Sequence, residues 1–281
     1  MQPIQKTLFL WTQFQEYRIA NNQAEKMFAI EQIERRQIDP KEYKEIGTVK
    51  LENVSFGYGG KLVFENINLD LKIPDTIGIR GDNNAGKATL MRLIAGILKP
   101  TDGRIFINGI PPSDYHSEEL VKYIGYISSN NVIFQGTILE NLTAFDETME
   151  HEALEIAKML NLDKEIALLP KGYDTKVTDG IADIIAPGIK QRVAIARALI
   201  HKPKIILFHN ADRGLDREGY NLLIKFLHLI NNQTTTIIVT EDHNINLLVN
   251  KEYLLKDGKL TEINPKDSRV YDLKPYKELK I

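Results

Sequence analysis

An α/β fold is predicted for this chain of 281 residues by two observations. Beyond Gly47, segments in which apolar and polar residues alternate, as in strands, take turns with segments whose apolar residues recur at helical spacing. Two β-branched runs, Ile205–Phe208 and Thr236–Thr240, have the composition of buried strands in a parallel sheet. Strands that alternate with helices indicate an α/β sheet, with a largely helical insert between residues 115 and 190.

The same patterns predict the individual elements. We expect strands at Lys50–Phe56, Ile67–Ile73 and Ile105–Ile107, helices at Thr89–Leu98 and Leu222–Ile230, and a mostly helical stretch over Ser113–Leu199. The dipeptide Asn108-Gly109, directly after the third strand, is a hairpin signal.

Composition excludes several classes of function. The 36 Lys and Arg residues nearly balance the 38 Asp and Glu residues, and the net charge of −2 gives no overall positive field of the kind that predicts binding to nucleic acid. The absence of cysteine excludes disulfides, thiolate-bound zinc and thiol nucleophiles. No apolar run reaches the roughly 18 residues that span a bilayer.

The first 45 residues have a pattern of their own. Apolar residues between Leu8 and Ile33 recur every three or four positions, which predicts an amphipathic helix ending before Asp39-Pro40. The segment could be a helix that caps the following domain, or a linker from a preceding domain, and the pattern leaves both open.

The most informative segment is Gly81–Thr89, which reads GDNNAGKAT between a predicted strand and a predicted helix. Glycine, four residues and then Gly-Lys form the phosphate-binding loop, whose backbone N–H groups and lysine ammonium bind phosphate oxygens. The loop normally has Ser or Thr after the lysine, where the hydroxyl binds Mg²⁺, but this chain has Ala88. The motif is therefore incomplete.

Several segments resemble, in order, the nucleotide-binding domain of an exporter-type ABC transporter. They are LENVSFGY, GKATLMRLIAGILKPTDGRIFING, IGYISSNNVIFQGTILENL, LPKGYDTKVTDG and KQRVAIARALIHKPKIILF. The resemblance implies a P-loop NTPase fold of the ABC ATPase type, with an antiparallel β subdomain and a helical subdomain over about residues 117–190. It places the domain at residues 46–281 and suggests that residues 1–45 are a linker from a transmembrane domain.

The resemblance also implies which residues contact a nucleotide. Tyr58 stands where the family stacks an aromatic ring on adenine, and Asn84 replaces the middle glycine of the loop. Asparagine tolerates a positive φ better than other non-glycine residues, so we expect the loop to keep its shape. The implied ligand is ATP or ADP, bound weakly, and the residues implied to contact it are Tyr58, Asn83, Asn84, Ala85, Gly86, Lys87, Ala88 and Thr89.

Four positions that carry catalysis in the family hold different residues here, namely Ser129, His209, Asn210 and Glu241. Ser129 is too short to replace the Q-loop glutamine. His209 replaces the aspartate that anchors magnesium, which prefers oxygen ligands. Asn210 replaces the glutamate that acts as general base, and an amide cannot accept a proton near neutral pH. Glu241 replaces the switch histidine and would repel a γ-phosphate, with His243 a weak substitute. We therefore expect no metal ligands and leave the role of magnesium open.

The signature segment has also changed. In place of LSGGQ the chain reads Ile185-Ala186-Pro187-Gly188-Ile189. One extra residue after Val177 leaves the register open by one position, and neither register restores a serine. Ala186 has no hydroxyl and Pro187 no N–H, so the ligand contacts are lost, although proline suits the first turn of a helix. In the D-loop, Asp216 is retained and is expected to be structural, supporting a dimer face, and not catalytic.

These substitutions leave three hypotheses for function. The chain is a pseudo-ATPase that binds nucleotide weakly, an active half of an asymmetric exporter dimer, or a structural protein that does not meet nucleotide. The resemblance implies a transmembrane domain or subunit as partner, a possible homo- or heterodimer with another nucleotide-binding domain, and a cytoplasmic location at the inner face of the membrane. Nucleic acid is not an expected partner.

Overall fold

The computed structural model describes residues 46–129, 132–177 and 185–263. The predicted amino-terminal helix, the extra residue after Val177 and the tail from residue 264 lie outside these ranges. No helix within them combines the length and the apolarity that a membrane span requires.

The described elements alternate between strands and helices along most of the chain. The strands are β1 (Val49–Tyr58), β2 (Lys61–Leu71), β3 (Thr76–Arg80), β4 (Asp102–Ile107), β5 (Ile124–Ser128), β6 (Gly136–Thr137), β7 (Lys176–Val177), β8 (Ile205–His209), β9 (Thr235–Val239), β10 (Lys251–Lys256) and β11 (Lys259–Ile263). The α-helices are α1 (Lys87–Ile94), α2 (Ser117–Tyr123), α3 (Ile138–Leu142), α4 (Glu150–Met159), α5 (Leu162–Ile166), α6 (Pro187–Leu199), α7 (Arg217–Ile230) and α8 (His243–Asn246).

A six-stranded sheet forms the centre of the α/β fold, in the order β11-β10-β3-β9-β8-β5. Its strands from β10 to β5 are parallel, and β11 pairs with β10 in the antiparallel direction. Successive side chains of a strand point to opposite faces, so Ile237 and Ile238 of β9 belong to two different apolar clusters. Burial on both faces explains why this strand is apolar or β-branched at every position.

A second sheet, antiparallel and three-stranded, has the order β2-β1-β4. The predicted strand at Ile67 begins at Lys61 instead, because β1 and β2 form a hairpin around Gly59 and Gly60, both of which have positive φ. The sequence prediction missed this early part because the pairing is irregular, with Asn53 and Asn66 in the left-handed region. These breaks remove the alternation on which the prediction depended.

The stretch predicted as mostly helical contains α2 to α6 but also a strand of the central sheet. β5 pairs in parallel with β8, from Ile124 opposite Ile205 to Ser128 opposite His209. The prediction was wrong at β5, whose Ile-Gly-Tyr-Ile sequence is short and flanked by helical pattern. The prediction also did not include β10, β11 or α8.

Two turns shorten predicted elements. The helix α1 ends at Ile94 and not at Leu98, because Gly96 has φ +71° and cannot continue the helix. At Asn108-Gly109 a tight turn is present, and the backbones of Ile107 and Ile110 exchange hydrogen bonds of 2.8 and 2.9 Å. The pairing stops after this one bridge, so the predicted hairpin is limited to the turn.

Candidate functional site

The loops that follow β3, β9 and β8 lie side by side at one edge of the central sheet. β9 pairs with β3 on one side and with β8 on the other, all in parallel. Ligands of open α/β sheets bind at the carboxyl ends of such strands. The phosphate loop follows β3, Glu241 follows β9, and β8 ends at His209, before Asn210. Ser129 follows β5, which is the outer neighbour of β8.

Three residues give the phosphate loop its backbone shape. Gly81 has φ +153°, and a Cβ there would lie 2.3 Å from the carbonyl oxygen of Leu255. Gly86 has φ +101°, and a Cβ there would lie 2.7 Å from Cγ1 of Val63. Asn84 has φ +67°, the left-handed conformation that asparagine tolerates. The residue that replaces the middle glycine thus adopts the positive φ expected of it.

The other loop residues form a tight turn that leads into α1. Asn83 is exposed, and the N–H of Ala85 donates to the carbonyl oxygen of Asp82 at 3.1 Å. Ala88 is the second residue of α1, where its methyl group is half-buried. Thr89 is buried in the first turn of the same helix. Its side chain supplies a hydroxyl one position beyond the place where the motif requires one.

Tyr58 reaches the phosphate loop from the antiparallel sheet. Its hydroxyl lies 3.5 Å from Oγ1 of Thr89, in the first turn of α1. The ring of Phe56 meets it edge to face at a centroid distance of 4.8 Å. About half of Tyr58 is exposed, at 48%. A planar group could therefore still contact the ring beside the loop.

The ammonium group of Lys87 is folded onto its own loop. Nζ donates to the carbonyl oxygens of Gly81 and Asp82, the latter at 2.8 Å. Burial lowers the pKa of Lys87, and the nearby carboxylates of Glu241 and Asp82 partly oppose that shift. A phosphate oxygen at this position would replace carbonyl acceptors with a charged one, which makes a stronger hydrogen bond.

His209 ends β8 and is half-buried. Burial lowers its pKa, and the positive charges of Arg92, Lys87 and Arg213 lower it further. The imidazole is therefore neutral near neutral pH. The sequence prediction missed Arg92 and Arg213, because nothing in their spacing indicates that α1 and the loop after β8 converge on this side chain.

Asn210 and Ser129 keep backbone contacts at the edge of the sheet. Asn210 has φ +50°, and its N–H donates to the carbonyl oxygen of Val239 at 2.8 Å. The N–H of Ser129 donates to the carbonyl oxygen of His209 at 3.1 Å, and Ser129 is exposed. The loops that carry these positions are held by backbone hydrogen bonds, independently of the altered side chains.

Glu241 forms an ion pair with Arg213. Nη2 of Arg213 lies 2.9 Å from Oε2 of Glu241, and the pair joins the loop after β8 to the loop after β9. Both side chains are more than half exposed. The carboxylate that the sequence places against a γ-phosphate therefore already has a cationic partner, which the sequence analysis did not foresee. His243 begins α8 and is exposed.

The altered signature segment begins α6. Pro187 is the first residue of the helix, and the preceding Ala186 provides no side-chain hydrogen bond to cap it. Nε2 of Gln191 donates to the carbonyl oxygens of Ala211 and Arg213 at 2.6 and 2.9 Å, which attaches α6 to the loop after β8. The remaining positions of the segment are Ile185, Gly188 and Ile189. Proline starts the helix as expected, and the helix is anchored by groups other than the signature side chains.

Asp216 caps the next helix. Its Oδ1 accepts a hydrogen bond of 2.7 Å from the N–H of Gly219, in the first turn of α7. A carboxylate at a helix N-terminus also interacts favourably with the helix dipole. This contact gives Asp216 a structural role at the start of α7, and the dimer face expected from the sequence stays a prediction.

The residues at this site form a phosphate-binding cradle, and two positions expected to support magnesium lack an oxygen ligand. The positive-φ loop, the first turn of α1 and Lys87 form the kind of cradle that binds phosphate oxygens. Magnesium prefers oxygen ligands, whereas Ala88 has no hydroxyl and His209 is a neutral imidazole among cations. Within the described ranges, no group of three or more His, Asp or Glu residues could hold a metal ion.

Comparisons with known proteins support this fold. The ABC transporter family matches residues 64–212. The uncharacterized ABC transporter ATP-binding protein YfiB of Bacillus subtilis (strain 168) is 32% identical over 236 residues, which cover 83% of this chain and 41% of YfiB. The alpha-hemolysin translocation ATP-binding protein HlyB of Escherichia coli O157:H7 is 30% identical, over 96% of this chain and 39% of HlyB. A solved bacterial Atm1-family ABC exporter with ATP bound has a TM-score of 0.70 at 27% identity, over 81% of this chain and 39% of that one.

The fold and the loop at its sheet edge define a P-loop NTPase with an added antiparallel β-sheet and added helices. The chain belongs to the ABC transporter family, and it is a nucleotide-binding domain of the exporter type. Nucleotide binding in general is a property of this family. The chain spans about two fifths of the length of these relatives.

Proposed function

We propose that this chain is a catalytically impaired nucleotide-binding domain, which binds the phosphates of ATP or ADP weakly and hydrolyses little or no ATP. The observation that carries the proposal is the environment of His209, a half-buried neutral imidazole beside Lys87, Arg92 and Arg213. A magnesium site needs carboxylate or hydroxyl oxygen at this point of the fold. A phosphate chain without metal, by contrast, is attracted by this set of cations.

The proposal also covers the partners of the chain. Because the exporter-type relatives are more than twice as long as this chain, a transmembrane domain or subunit is the expected partner, and the chain would act in the cytoplasm at the inner face of the membrane. Pairing with a second nucleotide-binding domain, identical or different, is consistent with the family. In that role the domain would couple nucleotide binding, and not ATP hydrolysis, to the state of its partner.

Nucleotide titration with and without magnesium tests the binding part. We expect ATP and ADP to bind weakly by isothermal titration calorimetry, with affinities in Mg²⁺ and in EDTA that differ by less than about tenfold (~1.4 kcal/mol). Lys87→Ala should abolish binding, whereas Lys259→Ala, an exposed lysine of β11, should not change it. Binding that magnesium tightens by several orders of magnitude would contradict the proposal.

A second function, active ATP hydrolysis in an asymmetric dimer, is favoured by one carboxylate. Asp212 lies two residues after Asn210, and its Oδ1 accepts a hydrogen bond of 2.8 Å from the hydroxyl of Thr240, the residue directly after β9. It could act as a general base if it reached an attacking water. Steady-state phosphate release that is lost in both Lys87→Ala and Asp212→Asn would establish this alternative. We expect no release above the level of the Lys87→Ala variant.

A further inference from the structure

A cavity at the edge of the central sheet opposite the phosphate loop has features of a binding site. It encloses about 610 Å³ between α4, the end of α6 and α7. Pro203 and Lys204, which line it, directly precede β8, and Thr234 directly precedes β9. The cavity therefore lies at the amino ends of the strands whose carboxyl ends carry His209 and Glu241. Its volume is within the range of roughly 300–1,000 Å³ that small-molecule sites occupy.

The wall of this cavity is mainly apolar. Buried side chains from three elements form its floor, and Leu160, Leu199 and Ile206 are each at most 5% exposed. At its mouth, Met159 and Leu229 are 52% and 56% exposed. Large apolar side chains that remain exposed around a concave surface are typical of a surface that contacts a ligand.

The polar groups of the lining are mostly lysines. Lys202, Lys204 and Lys225 are exposed at its border, against the single carboxylate of Glu155. Nζ of Lys202 lies 3.9 Å from Oε2 of Glu155. Among the residues that the structure describes, neither Lys204 nor Lys225 has a carboxylate within 4 Å. The border therefore has an excess of positive charge beside an apolar interior.

We propose that this cavity binds a single-chain amphiphile with one anionic head group, of the fatty carboxylate class. The apolar floor takes the alkyl chain, and the carboxylate lies at the border between Lys204 and Lys225. The long lysine side chains suit this arrangement, because they pack their methylene groups along apolar surface while the ammonium stays in water. Residues of α4 and α7 and Ile206 of β8 all line the cavity. A bound alkyl chain would therefore contact both the helical part of the domain and the central sheet.

Calorimetric titration of the full chain with dodecanoate, below its micelle concentration, tests the proposal. We expect saturable binding of one dodecanoate per chain and much weaker binding of dodecyltrimethylammonium, which has the same alkyl chain and the opposite charge. In the Lys204→Glu/Lys225→Glu variant the affinity for dodecanoate should fall at least about tenfold. Lys259→Glu, the same change at an exposed position of β11, should leave the affinity unchanged.

A second variant tests the apolar part independently. Met159→Trp places a larger side chain at the mouth of the cavity and should weaken dodecanoate binding, with circular dichroism confirming that the fold is retained. No saturable binding to the unmodified chain would overturn the proposal, as would equal binding of both amphiphiles. Self-association in sedimentation velocity that Met159→Trp abolishes, without dodecanoate binding, would show instead that a second copy covers this surface.

Discussion

Arg213 and Glu241 connect two loops of the candidate site through an ion pair of 2.9 Å. Arg213 is also one of the cations near His209, and Glu241 is the carboxylate that most favours the charged form of Lys87. The pair therefore neutralises part of the positive charge that would attract phosphate. Glu241 has in effect two cationic neighbours at the site.

Removing the carboxylate of Glu241 should strengthen nucleotide binding. In Glu241→Gln, Arg213 loses its anionic partner and Lys87 a nearby negative charge, so both become available to a phosphate. Because the pair is more than half exposed, we expect a gain of at most about 1 kcal/mol, or roughly fivefold in affinity. Titration with ADP in EDTA measures it. Glu147→Gln, an exposed carboxylate of the helical part, is the matched control, and a weaker affinity in Glu241→Gln would contradict the charge argument.

The positive φ of Asn84 predicts opposite results for two substitutions. Asn84→Gly should retain the loop and change the free energy of unfolding little, because glycine adopts φ +67° without strain. Asn84→Val should lower the free energy of unfolding by about 1–2 kcal/mol, since a β-branched residue is strained in the left-handed region. Urea denaturation followed by circular dichroism compares the two variants. Equal stabilities would mean that the loop does not hold this conformation in solution.

The fold class and the phosphate loop could be predicted because their signals are local. The β-branched run Thr236–Thr240 indicates a strand that is buried on both faces. The glycines of the loop indicate a backbone that needs positive φ. β5 could not be predicted, because its five residues become a strand through pairing with β8, which lies far along the chain. The hairpin at Gly59-Gly60 was missed because irregular pairing interrupts the strand pattern.

At the site, the altered positions could be recognised from the sequence, but the contacts of their side chains could not be predicted. The sequence indicated that His209 and Glu241 differ from the family pattern. It gave no sign that Arg213 pairs with Glu241, or that Arg92 from α1 lies close enough to lower the pKa of His209. Both contacts join residues from different loops or elements, and the order of strands in the sheet determines them.

Arg192 should contribute strongly to stability. Its guanidinium is 1% exposed, pairs with Glu165, and donates to the carbonyl oxygen of Leu160 at 3.2 Å, which holds α6 against α5. Arg192→Ala leaves the carbonyl oxygen of Leu160 without its donor and Glu165, whose side chain is 32% exposed, without its cation, so the free energy of unfolding should fall by about 2–3 kcal/mol. Arg104→Ala breaks a pair whose arginine is 73% exposed and should cost less than about 1 kcal/mol. Similar losses from both changes in urea denaturation would show that Arg192 is not buried as described.

His209 should make the domain less stable in acid. Burial and three cations lower its pKa in the folded state, whereas in the unfolded chain the pKa is near its usual value of about 6.5. The unfolded chain therefore binds the proton more readily, and the free energy of unfolding decreases as the pH falls below about 6.5. Above that pH both states are neutral at this residue and its contribution to stability is complete. His201 shifts in the same direction, so only the difference between variants isolates His209.

The test of this pH dependence is a comparison of three proteins. We expect His209→Gln to lose less stability than the unmodified chain between pH 7 and pH 5, as measured by urea denaturation at each pH. His228→Gln, an exposed histidine of α7, should follow the unmodified chain. If His209→Gln also followed it, the imidazole would not be held in its neutral form by burial and by the charges of Lys87, Arg92 and Arg213. The charge environment on which weak, magnesium-independent phosphate binding depends would then be absent.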